Sequence, residues 1–227
     1  MKSQSHLSDE GVREVYCFHQ ELMRQWGPFE VTPLFELDSL ACSLGLGKVY
    51  LKDESKRFGL NAFKPLGASF AIYKFLQKKI YDYDKTEVTI KSFFSYPFKS
   101  VFPELVFTTA TDGNHGRAVA WVSNKLGIPA VIFVPKKTVQ SRIKAIKNES
   151  AKLEVVDGDY EVAVNNARNY ALENKSIVIS DTSYEGYEEI PSWISMGYLS
   201  IFKEADQQLK QNPDFVVIQS GVGALLC

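Results

Sequence analysis

The chain has 227 residues, 45% of them hydrophobic and 23% charged, enough to build a sizeable core in one large domain or two small ones and unlike a disordered chain. Lys and Arg (26) nearly balance Asp and Glu (27), for a formal net charge of -1, which argues against a general polyanion partner such as nucleic acid or an acidic membrane while leaving room for one phosphate site made of local amides. The cysteines, Cys17, Cys42 and Cys227, fall in no metal-ligand spacing, so no metal is expected, and together with a polar start lacking an apolar signal stretch they imply a reduced, cytoplasmic compartment.

Ser8 is placed as an N-cap, and Val12, Val15, Tyr16, Leu22, Met23 and Trp26 recur near helical spacing, so a first helix is expected to end at Gly27-Pro28. A short helix over 37–44 ends at Gly45, and Val49-Tyr50-Leu51 reads as a strand. A helix over 65–80 opens with Pro65, a residue suited to a first turn. The stretch 82–103 is the least patterned and is expected to be an insertion or mobile loop. Beyond it an alternation sets in. Strands are expected over 106–109, 130–134, 153–156, 177–179 and 215–218, and helices over 116–126, 138–146, 160–172 and 193–209. The apolar run at 128–134 is too short to span a bilayer.

Short, continuously apolar strands separated by helices predict an α/β fold with parallel sheets covered by helices on both faces. The final strand leads through Ser220-Gly221-Val222-Gly223-Ala224 into a helix that stops at its first turn. The fold is therefore expected to be incomplete at the C-terminus, with exposed apolar surface, poor solubility and no activity.

Four segments have residue types suited to chemistry. Lys64, in Asn61-Ala62-Phe63-Lys64-Pro65, lies just before a helix in an apolar setting. Partial desolvation there favours the neutral, nucleophilic amine; the alternative is an exposed lysine at a helix start. Thr111-Asp112-Gly113-Asn114-His115-Gly116 joins a strand to a helix, where glycines permit a sharp turn and free amides favour a carboxylate or phosphate. The plainer possibility there is a turn with Asp112 or Asn114 as N-cap and a packed His115. Gly221-Val222-Gly223-Ala224 offers successive amides to a phosphate, although many parallel sheets have such a turn. Asp181-Thr182-Ser183-Tyr184-Glu185-Gly186-Tyr187 again follows a strand. Loops at the carboxyl ends of parallel strands converge on one crevice, so the shared location of these segments strengthens the group.

Together with Val49-Tyr50-Leu51-Lys52-Asp53-Glu54 and Asn114-His115-Gly116-Arg117, these segments make the sequence resemble pyridoxal-phosphate enzymes of fold type II, the tryptophan-synthase-beta type. Within them it is most similar to the diaminopropionate ammonia-lyase family, over nearly the whole chain. Asp112 is the discriminating residue, since the related serine and threonine dehydratases usually have a small neutral residue there. Pro65 departs from the family pattern but fits a helix start.

The resemblance implies that Lys64 would hold pyridoxal 5'-phosphate as a Schiff base and later act as a base. Asn114 would bond the ring hydroxyl oxygen, and Gly221, Val222, Gly223 and Ala224 would begin the phosphate cradle. Thr111, Asp112, Gly113 and His115 would receive the substrate carboxylate. Asp112 would serve as a second acid or base, and Asp181 would lie near the substrate amino groups. The implied reaction takes 2,3-diaminopropionate to pyruvate and ammonia, with Lys64 and Asp112 on opposite faces accepting both D and L isomers. A serine or threonine dehydratase and a non-catalytic remnant are the alternatives. The resemblance further implies a homodimer, and a division into a lysine-bearing part (1–90), a smaller α/β part (91–192) and a segment returning to the large domain (193–227).

Overall fold

The computed structural model describes residues 8–27 and 30–226; Met1 to His6, Pro28 and Cys227 fall outside them. Helix α1 (Asp9–Trp26) starts where expected, with the Ser8 side chain accepting from the Gly11 amide and Asp9 and Glu10 in the positive first turn. Its inner face buries Val15, Phe18 and Leu22. Two short strands follow around α2 (Asp38–Leu44): β1 (Leu34–Glu36) and β2 (Tyr50–Lys52), paired antiparallel with Phe35 opposite Leu51. Strand β1 was not anticipated, and this small sheet is the exception to the parallel rule.

Helix α3 (Lys64–Asp84) is longer than expected and includes Lys64 in its first turn, with Pro65 beside it. The stretch after it has more regular structure than its pattern suggested. It holds two single-turn helices, α4 (Ile90–Phe93) and α5 (Phe98–Val101), and buries Val88, Phe93 and Phe98. Phe93 meets Tyr73 edge-on at 5.1 Å and Phe18 at 6.1 Å, so aromatic anchors hold a segment that lacks any regular period.

The main sheet runs β5-β4-β3-β6, all parallel, from β3 (Phe107–Ala110), β4 (Ala130–Pro135), β5 (Lys152–Val156) and β6 (Ile177–Val178). The crossovers are α6 (Asn114–Leu126), α7 (Gln140–Lys147) and α8 (Tyr160–Asn174). Alternation along β4 divides the core. Ile132 and Val134 join the large cluster that includes Val119 and Val122 of α6, while Val131 and Phe133 pack with Ala163 and Ala167 of α8 on the other face. Both faces are covered, as the apolar strands demand.

The expected helix over 193–209 is two helices, α9 (Glu189–Gly197) and α10 (Leu199–Gln208), meeting at Tyr198. Crowding at α3 explains the small residues here. A Cβ on Gly197 would lie 2.5 Å from the Leu66 carbonyl oxygen, and one on Gly67 would lie 2.6 Å from the Tyr198 ring. The expected strand over 215–218 is not formed: the segment is irregular, and Phe215 and Val217 are 87% and 96% exposed. A strand needs a neighbour for its backbone groups, and no described strand runs beside this one.

Arg57, buried to 1% exposure, ties the region between β2 and α3 to α10. It donates twice to Glu204 and twice to Glu54 at 2.7 Å, and once to Thr32 at 2.9 Å, while Lys52 lies 2.8 Å from Glu204. No helix among the described residues is long and apolar enough to cross a membrane.

Candidate active site

The carboxyl ends of β3 and β6, neighbours in the sheet, deliver the turn at 111–113 and the loop at 179–181 to the start of α3. There Lys64 Nζ lies 2.6 Å from Asp181 Oδ2. The lysine side chain is 20% exposed and the aspartate 7%, so the amine faces open space while its counter-charge is buried. Nζ also stands 5.6 Å from the Phe63 ring centre and 5.7 Å from that of Tyr198, so two aromatic rings flank it. Burial raises the Asp181 carboxyl, but His115 and Lys64 outweigh it and hold the acid below its ordinary range.

His115, in the first turn of α6, is 6% exposed. Its Nε2 donates to the Ile179 carbonyl at 2.8 Å, while Nδ1 has no hydrogen-bond partner and lies 3.8 Å from Asp181 Oδ2. Thr111 Oγ1 accepts from the amides of Gly113 and Gly116, at 2.9 and 3.0 Å. A substrate carboxylate would therefore be met by other amides of this helix start. Asp112 and Asn114 are exposed, and Arg142 of α7 donates to the Asp112 carbonyl at 2.9 Å.

These groups surround one cleft of about 370 Å³, lined by Lys64, Thr111, Asp112, Asn114, His115 and Asp181, with Ala110, Arg142, Tyr160, Gly221 and Val222. Gly223 and Ala224 do not line it: Gly223 turns with φ +90° and Ala224 packs into the core. Arg142, Tyr160 and Tyr198 were not singled out from the sequence. Arg142 lies on the helix whose basic character was visible, and Tyr160 opens a helix just after a strand end, so position held a signal for both. A larger depression of about 550 Å³ lies by Lys74, Lys78 and Trp193. Its Lys78 is already paired with Glu189 at the exposed surface, leaving no reactive arrangement.

A parallel sheet with helices on both faces, and a lysine on a buried carboxylate at the strand ends beside glycine turns, suits an enzyme that holds a carbonyl cofactor through an amine. The chain belongs to the pyridoxal-phosphate dependent enzyme family, whose profile matches residues 26–227. It is similar to the diaminopropionate ammonia-lyase of Salmonella typhimurium, at 40% identity over 215 residues, which is 93% of this chain and 52% of that enzyme. The crystal structure of the Escherichia coli diaminopropionate ammonia-lyase in complex with an aminoacrylate-PLP azomethine reaction intermediate superposes with a TM-score of 0.86 at 37% identity, over 99% of this chain and 55% of that one. A bovine L-serine dehydratase/L-threonine deaminase is 32% identical over 125 residues, 53% of this chain and 35% of that enzyme. The chain spans about half the length of the curated ammonia-lyases it matches.

Pyridoxal phosphate is the cofactor of this family, and the cleft suits it. Lys64 offers a partly exposed amine. A Cβ on Gly221 would meet nothing within 4 Å, so the glycine turn faces open room. Arg142 supplies positive charge at the rim.

Proposed function

We propose that this chain carries the lysine-bearing site for eliminating ammonia from 2,3-diaminopropionate, with pyruvate and ammonia as products. The observation that carries the reading is the Lys64–Asp181 contact of 2.6 Å in a cleft shared with the 111–115 turn and Gly221. The 40% identity to an ammonia-lyase over nearly the whole chain, with Asp112 at the turn, favours diaminopropionate over a hydroxyl amino acid.

When bound, pyridoxal phosphate supplies a carbonyl that bonds an amine and a ring that takes up electrons from the substrate Cα. Lys64 is the amine that anchors it and, once released, the base placed to take the Cα proton. Asp181 holds Lys64 in place from its buried side. The exposed Asp112 carboxylate serves the opposite face and allows D and L isomers to react, with Arg142 fixing its backbone. Asn114 meets the cofactor's ring oxygen, Gly221 and Val222 its phosphate, and the start of α6 the substrate carboxylate. Gly223 and Ala224 shape that phosphate turn from behind. The parts at 1–90, 91–192 and 193–227, a cytoplasmic homodimer, a role in amino-acid catabolism and the absence of a nucleic-acid partner belong to the same proposal; the near-zero net charge supports the last.

Borohydride reduction after incubation with pyridoxal phosphate, followed by peptide mass spectrometry, is expected to place the cofactor on Lys64. Diaminopropionate is expected to perturb the visible absorbance of the loaded chain more than serine does. Trapping on other lysines in place of Lys64 would reject the site, and a preference for serine would favour the dehydratase reading.

A further inference from the structure

The Lys64 ammonium must lose a proton before its amine can bond a carbonyl carbon, and three side chains lie in line to receive it. His115 Nε2 donates to the carbonyl of Ile179. A carbonyl only accepts, so Nε2 bears the hydrogen, and in the neutral ring Nδ1 is an open acceptor. That nitrogen is buried without a hydrogen-bond partner, a costly arrangement in a folded core. It lies 3.8 Å from Asp181 Oδ2, and the same oxygen lies 2.6 Å from Lys64 Nζ. The His115–Ile179 bond joins the start of α6 to the region after β6 and fixes which ring nitrogen faces Asp181.

We propose that His115 is the proton acceptor for Lys64, acting through Asp181. An N–H bond breaks at Nζ and the proton passes to Oδ2; an N–H bond then forms at Nδ1 as the Oδ2 proton leaves. Lys64 ends neutral, His115 cationic and Asp181 an anion as before, so the total charge is unchanged. The 3.8 Å gap closes as positive charge builds on the ring, as catalytic hydrogen bonds commonly tighten once a site is engaged.

The other groups around Asp181 do not compete for the proton. Tyr160 of α8, Tyr187 and Tyr198 are all pushed above the ordinary phenol range, first by burial and then by Asp181 among other charges. They stay protonated near neutrality. Arg142 of α7 remains charged beside Asp112. Among the described groups facing Asp181, the imidazole is the one whose ordinary range lies near neutral pH.

The inference rests on Lys64 being the amine that bonds a carbonyl, but its first test needs no cofactor. In the full chain labelled with 15N-histidine, His115 is expected to show the Nε2–H tautomer. In Lys64→Met, loss of the ammonium leaves Asp181 to the imidazole alone, and the His115 ring signals are expected to move towards those of the doubly protonated ring. Unmoved signals, or the opposite tautomer, overturn the relay. The second test is His115→Gln, which keeps a donor for Ile179 but cannot take up the proton. Modification of Lys64 by pyridoxal phosphate, trapped with borohydride, is expected to slow about tenfold near neutrality with its pH profile moved to higher pH. An unchanged profile, or a uniform loss at every pH, makes His115 structural only. If Lys64 is not modified in the parent chain the functional reading fails, and the histidine signals still decide the relay.

Discussion

Arg57 and Lys64 are close in the chain and both meet carboxylates from distant elements, yet the two cations are held differently. Arg57 is buried to 1% exposure, and its guanidinium donates to Glu54, Glu204 and Thr32. Burial works against its charge, and its bonds to Glu204 and Glu54 more than offset that. Lys64 keeps a fifth of its surface open and leans on a single carboxylate, behind which His115 leaves one nitrogen unmet. A saturated cluster fixes structure; an unsaturated one retains room for a reactant. The two buried histidines repeat the contrast. His19 has both ring nitrogens bonded, to Ser200 and the Leu66 carbonyl.

The comparison breaks most visibly at Arg57. Arg57→Ala leaves Glu204 to Lys52 and Glu54 to the Thr32 hydroxyl, and is expected to cost about 3–5 kcal/mol, the range for opening a buried ion pair from one side. Urea unfolding of the purified variant measures it, and a loss below ~1 kcal/mol would show the cluster is no anchor. At His19 the effect is pH-dependent. Burial lowers its pKa from 6.5 to about 3. Because the folded value is depressed, the unfolded chain takes up the proton first. Stability is fully present above pH 6.5 and drains away as pH falls towards 3. By pH 5 this amounts to about 2 kcal/mol. His19→Gln, whose amide can serve both partners, is expected to flatten that part of the pH–stability curve; an unchanged slope would mean the acid loss arises elsewhere.

None of this asymmetry was visible in the sequence, where Arg57 was not singled out. What was legible follows from periodicity. The helices beginning near Asp9, Lys64, Asn114 and Tyr160 and the apolar strands at Phe107 and Ala130 announce themselves through spacing and punctuation. Strand β1 is three residues long with two exposed, too short to alternate detectably. The turns α4 and α5 are held by aromatic contacts from distant residues, which no local window contains. Phe215 to Ile218 has the composition of a buried strand, but composition cannot supply the neighbour that a strand requires. In the site, Asp112, His115 and Asp181 lie in segments that strand ends and glycine turns mark, Lys64 was singled out by its apolar setting before a helix start, and their roles were implied only by the resemblance. Tyr198 enters the neighbourhood from the junction of α9 and α10, which has no such mark, and Arg142 from a helix marked only by its basic character.

Tyr187 sharpens the comparison on the open side. Its hydroxyl accepts from the Ser180 amide at 2.8 Å and donates to the Val178 carbonyl at 2.9 Å, closing the loop that presents Asp181. Tyr187→Phe leaves both backbone groups unmet and is expected to cost about 1–2 kcal/mol. Faster amide exchange at Ser180, with the amides of α1 unaffected, is the accompanying local sign. Equal acceleration in both places would point to general loosening instead.

The smallest expected change in stability is at the reactive pair itself. Asp181→Asn keeps the side-chain shape and a carbonyl oxygen near Nζ, and Lys64 can turn to solvent through its open face. The loss is expected to stay within about 1 kcal/mol, as for other partly exposed ion pairs. At low pH the two proteins converge. The folded pKa of Asp181 lies below its ordinary 3.8, so its contribution is present above that value and disappears as pH falls through the lower folded one. Chemistry should change where stability does not. Without Asp181 the Lys64 proton has no path to His115, so modification by pyridoxal phosphate should slow near neutrality, in the same direction as expected for His115→Gln. Melting temperature and the modification profile, measured on the same preparations, separate the two effects. A loss as large as that of Arg57→Ala would erase the distinction between the saturated and the open cluster.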